Sequence, residues 1–108
     1  MKKLILIIDG LMTLSAQAMT EKAQKEVEKA LSGDYDTLRN VAYSMKTGSF
    51  GHDLNPVAGC ALRKVILLTQ SDKTHSGDYG NEYVDCKALS PADSEAAWKL
   101  TLQMVLGK

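Results

Sequence analysis

The chain has 108 residues, with 13 Lys and Arg against 13 Asp and Glu, 44% hydrophobic residues and two cysteines. That length holds one small domain. The balanced charge provides no general field for nucleic acid or anionic lipid, so both are excluded as expected partners.

Residues 1–18, "MKKLILIIDGLMTLSAQA", have the layout of a secretory signal peptide. Lys2 and Lys3 form a basic start, an apolar stretch follows, and Ala16-Gln17-Ala18 has the A-x-A form of a signal-peptidase site. The stretch is too short for a membrane span. Asp9 interrupts it, and an Asp at the centre of a spanning helix costs roughly 3 kcal/mol. The alternative is an uncleaved amphipathic start or a buried first helix. Cleavage would leave residues 19–108 as a helical domain in the periplasm or outside the cell, with no membrane span. Without Lys2, Lys3 and Asp9, the 13 bases and 13 acids become 11 and 12, a net charge of −1.

"TEKAQKEVEKALSG" predicts the first helix, capped by Thr20, with Ala23, Val27, Ala30 and Leu31 on one side and Gly33 at its end. Asp34 then caps a second helix striped by Leu38, Val41, Ala42 and Met45, flanked by Tyr35 and Tyr43, and ending near Gly48. "GSFGHDLNP" is a glycine-rich loop, and Asn55-Pro56 supplies a capping residue followed by a proline suited to the first helical position.

The third helix, "VAGCALRKVILLTQ", is the most apolar and therefore central, with Arg63 and Lys64 expected on its outer face. Gly59 reads as a packing residue that lets another helix approach. Gly77-Asp78 repeats the stop-and-cap pair Gly33-Asp34 and opens a short helix through Cys86, which Gly80 weakens. Ser90-Pro91 starts the last helix, with Asp93 and Glu95 at its positive end. Ala96, Ala97, Leu100, Met104 and Trp98 are candidates for its buried side, and Gly107 ends it.

No β alternation competes, so the fold class is all-α, four to five short helices in helix hairpins. The Gly-Asp pairs lie 44 residues apart, within the range of helix-pair repeats. "ALSGDYDTLRNVAYSMKTGSFGHDLNPVAGCALRKVIL" resembles a Sel-one-like repeat (SLR), a relative of the tetratricopeptide repeat. Ala30, Gly33, Asp34, Leu38, Ala42, Tyr43, Gly48, Gly51, Asp53, Ala58 and Ala61 match that unit, while the loop lacks its glycine-valine pair. The resemblance covers one unit and implies adaptor or protein-binding work without catalysis.

In an oxidising compartment Cys60 and Cys86 are expected to form a disulfide. Closing that loop contributes about 3.5 kcal/mol by the chain-entropy estimate. A metal site with His52 and His75 is the rival reading, although these residues lack metal-binding spacing.

His52-Asp53 invites a general-base reading, but Ser44 and Ser49 sit in no nucleophile motif. His52 and His75 therefore read as exposed loop histidines. "GSFGHD" has no phosphate-loop lysine, and no cofactor motif is legible. Surface recognition remains. Phe50 and His52 at a loop tip are the first candidates for partner contact, and Tyr79 and Tyr83 the second. The expected function is an exported, non-catalytic adaptor or inhibitor of another protein. An immunity protein against a secreted toxin or wall hydrolase and a small hydrolase using a loop histidine are the alternatives.

Overall fold

The computed structural model describes residues 19–107 as five α-helices, with no strand among the described residues. They are α1 (Glu21–Leu31), α2 (Tyr35–Thr47), α3 (Pro56–Thr69), α4 (Ser76–Lys87) and α5 (Pro91–Leu106). The signal peptide assigned to residues 1–18 lies outside the described residues. None of the described helices is long and apolar enough to cross a membrane.

Four helices begin at the caps that the sequence supplies. The side chains of Thr20, Asp34, Asn55 and Ser90 accept from the backbone N–H groups of Ala23, Thr37, Ala58 and Asp93, satisfying donors left open at each helix start. Pro56 and Pro91 follow their caps directly. Gly48 and Gly107 end α2 and α5 in the left-handed conformation.

The start of α4 corrects the sequence reading. His75, not Asp78, is its N-cap: His75 Nδ1 accepts from the Gly77 N–H at 3.0 Å. Asp78 stands three residues further on, where its carboxylate accepts the His75 N–H at 3.2 Å and completes a capping box. An imidazole has replaced the usual short polar side chain, which hid the cap.

Consecutive helices turn back on one another. Asn55 N–H donates to Met45 O at 2.7 Å, and Gln70 Nε2 donates to Gly33 O at 3.0 Å, so the start of α3 meets the end of α2 and its end meets the start of α2. Thr20 N–H donates to Gly51 O at 3.0 Å, setting the start of α1 beside the α2–α3 loop. Helix α3 packs against α2, α4 and α5, whereas α4 and α5 each lie more against α3 than against one another.

Ala58, Gly59, Ala61, Leu62 and Ile66 are buried on α3, with Leu38, Val41, Ala42 and Met45 of α2 and Leu100 and Met104 of α5. Each large side chain buried here contributes roughly 1.5–3 kcal/mol. The apolar core draws on α1, α2, α3 and α5, and contains no residue of α4. On α5, Ala97 is buried, whereas Ala96 and Trp98 are exposed, contrary to expectation. The inward arc of that helix runs through Ala97, Leu100, Thr101 and Met104, and neighbours one position away from Ala97 turn outward.

The two mid-helix glycines differ. A Cβ on Gly59 would stand 3.1 Å from Ala42 O and 3.3 Å from Lys46 N, so the absent side chain is what lets α2 approach. A Cβ on Gly80 would meet nothing within 4 Å. Gly80→Ala is therefore expected to stabilise the protein by about 1 kcal/mol in urea denaturation, because alanine loses less backbone freedom on folding than glycine does.

Candidate functional site

The α2–α3 loop borders a concavity. Gly48, Phe50 and Gly51 all have positive φ, of 67°, 54° and 81°. For Phe50 this is an uncommon conformation for a side-chain-bearing residue. For Gly51 it is enforced twice, because a Cβ there would also come within 2.4 Å of Thr20 Oγ1. The loop is thus pinned on the first turn of α1, with Phe50 projecting 73% exposed.

Between this loop and the α1–α2 pair lies a cavity of about 670 Å³. Phe50 and Tyr43 form its aromatic part, with ring centroids 6.5 Å apart and planes inclined at 46°. Thr20, Lys22 and Glu26 line it from the α1 side, and Asn40 and Ser44 from α2. An aromatic pair facing a mixed polar wall suits an apolar side chain carried on a polar backbone.

His52 is not the exposed loop histidine that the sequence suggests. Its side chain is fully buried, with Nε2 3.2 Å from Glu26 Oε1, while Nδ1 is buried without a hydrogen-bond partner. The His52 ring is joined to the groove through Glu26, which lines it. Glu26, Thr20 and Asn40 were missed from the sequence. Thr20, read from the sequence only as a helix cap, and Glu26 reach the groove from the α1 side, and no local motif marks Glu26 or Asn40. His75 is exposed and committed to capping α4.

Tyr79 and Tyr83 form a separate surface on the exposed side of α4, where Lys87 Nζ lies 5.0 Å from the Tyr83 ring centroid. The structure does not join them to the Phe50 groove. Their helix is held by charge and sulfur. Cys60 and Cys86 form a disulfide, with Cα atoms 5.0 Å apart, so neither is a free thiol.

Asp85 is buried between Lys46 Nζ at 2.8 Å and Arg63 Nε at 2.9 Å. Lys64 Nζ lies 2.6 Å from Glu82 Oε2 and also 4.1 Å from the Trp98 ring centroid, which ties α4 and α5 to α3. Arg63 and Lys64 are therefore buried, not on an outer face as the sequence suggested. Helix α3 has neighbours on three sides, and its third side is matched by carboxylates.

Asp78 of α4 faces α2 instead. Tyr35 donates its hydroxyl to Oδ2 at 2.5 Å, and Arg39 Nε lies 3.2 Å from Oδ1 without the alignment of a hydrogen bond. Burial alone would push its carboxyl up. The hydrogen bonds from the Tyr35 hydroxyl and His75 N–H, with the nearby Arg39 charge, outweigh burial and hold the carboxyl below its ordinary value. The same contact raises Tyr35, whose proton Asp78 accepts.

A depressed folded-state value means that this stabilisation is present above the unfolded carboxylate range, about pH 4, and disappears as pH falls through the lower folded value. Urea midpoints measured from pH 6 to pH 2 are expected to fall more steeply for the natural chain than for Asp78→Asn.

No family model matches the chain, and no curated protein or solved structure is significantly similar to it.

Proposed function

We propose that the protein is a small, exported, non-catalytic protein-binding module, acting as an adaptor or inhibitor, and that the Phe50 groove receives an apolar side chain of its partner. The observation that carries this reading is Phe50 itself. A large aromatic residue is held at φ 54° and left 73% exposed beside a cavity. Neither feature helps the chain fold: left-handed backbone at a residue with a Cβ costs roughly 1–2 kcal/mol, and the ring gains little from burial. Such strain recurs at sites that bind.

Tyr43 supplies a second ring, and aromatic anchors give contact area for little lost side-chain freedom. The pinned loop holds Phe50 ready, which reduces the ordering cost of association. Export is supported by the signal-like residues 1–18 and by the Cys60–Cys86 bond, which belongs to oxidising compartments. The one unit resembling a Sel-one-like repeat points to the same class of work.

Phe50→Gly separates binding from folding, since glycine adopts the same φ without strain. The variant is expected to unfold at an equal or higher urea concentration. It is also expected to retain at least tenfold less of the partner enriched by the natural chain from cell-envelope extracts. Equal retention by both proteins, or no enriched partner over repeated captures, would contradict the proposal.

A further inference from the structure

Helix α4 is attached in a manner unlike the other four. No residue of it enters the apolar core, and the two residues it buries are Asp78 and Asp85. Its large hydrophobic side chains, Tyr79, Tyr83 and Val84, are exposed. It contains Gly80, for which no neighbour provides a packing reason. Beneath it lie four cations, Arg39 and Lys46 from α2 and Arg63 and Lys64 from α3. Asp78, Glu82 and Asp85 fall on one side of α4 at intervals of four and three residues, and each meets one or two of those cations. Attraction within such buried pairs is largely offset by the loss of water around both charges. The remaining attachments are the hydrogen bond from the Tyr35 hydroxyl to Asp78 and the Cys60–Cys86 bond.

We propose that the four-cation face of α2 and α3 is a binding site for an acidic helical segment of a partner protein, and that α4, latched by the disulfide, is the intramolecular occupant that keeps it closed. This face shares no lining residue with the Phe50 groove, and the proposal stands independently of that reading. The face recognises a helix with carboxylates at spacings of four and three because that is the ligand it already holds.

In the open form both cysteines are thiols. Closure joins the two sulfurs, and two electrons and two protons pass to a disulfide oxidant, which becomes a dithiol. Opening reverses this with a dithiol reductant. Its thiolate attacks the half-buried Cys86 sulfur and displaces the Cys60 thiolate, which takes a proton. Its second thiol then releases Cys86 and forms the reductant's own disulfide.

The test compares the oxidised chain with the dithiothreitol-reduced chain and with Cys60→Ser/Cys86→Ser. The first measurement is amide hydrogen exchange. Residues 76–87 are expected to exchange at least tenfold faster in both unlatched forms, with α2 and α3 unchanged. Equal protection of α4, or loss of protection throughout the chain, overturns the proposal.

The second measurement is binding of a synthetic peptide of residues 76–87 carrying Cys86→Ser. It is expected to bind the unlatched forms at least tenfold more tightly than the oxidised form. The same peptide with Asp78→Asn, Glu82→Gln and Asp85→Asn is expected to lose that binding. Failure to discriminate between chain forms or between peptides, or equal competition by a single-stranded oligonucleotide as a generic polyanion, also overturns it.

Discussion

The closeness of α2 and α3 at Gly59 is the constraint from which the other features follow. With no side chain there, Ala42 O and Lys46 N lie where a Cβ would already be tight. Ala42, whose carbonyl faces Gly59, is fully buried and carries the smallest apolar side chain. Small residues contribute little transfer energy themselves. They allow larger neighbours such as Met45, Leu62 and Ile66 to interlock at crystal-like density. The spacing also fixes what stands at either side of the hairpin. It places Lys46 and Arg63 close enough to share Asp85. It also returns the chain through a loop whose Asn55 N–H reaches Met45 O.

Two kinds of adhesion coexist around that hairpin, and they differ in their response to conditions. Helices α1 and α5 are held mainly by apolar burial, which is little affected by salt or pH. Helix α4 is held by ion pairs, among them that of Asp78, whose lowered carboxyl makes it sensitive to acid, and by one covalent bond, which responds to thiols. A domain assembled this way has a rigid part and a conditional part. Elements with few buried apolar contacts belong to the low end of local stability, where binding and switching elements are found. The Phe50 loop is tied to the start of α1, where Thr20 N–H donates to Gly51 O.

Much of the fold is written locally. Thr20, Asp34, Asn55 and Ser90 mark four helix starts because a short polar side chain before an apolar run satisfies the first open N–H groups. The stripes of α1 and α2 follow directly from the helical period. Arg63 and Lys64 were misplaced because composition reports how polar a side chain is, and not whether a carboxylate such as Asp85 or Glu82 lies opposite it. His52 was misplaced for a related reason. Its partner Glu26 lies on α1, 26 positions away, so a polar residue in a glycine loop looked solvated when it was enclosed. Phe50 was legible as an aromatic at a loop tip, but its groove was not, since Lys22 and Glu26 enter from another helix.

The most direct test of this account is the stability of Gly59→Val, measured by urea denaturation followed by far-UV circular dichroism. If α2 and α3 meet as described, a branched side chain has to push Ala42 O and Lys46 N apart, and the protein should lose at least about 2 kcal/mol. A midpoint equal to that of the natural chain would mean that the helices do not approach at Gly59, and the account would be wrong at its foundation.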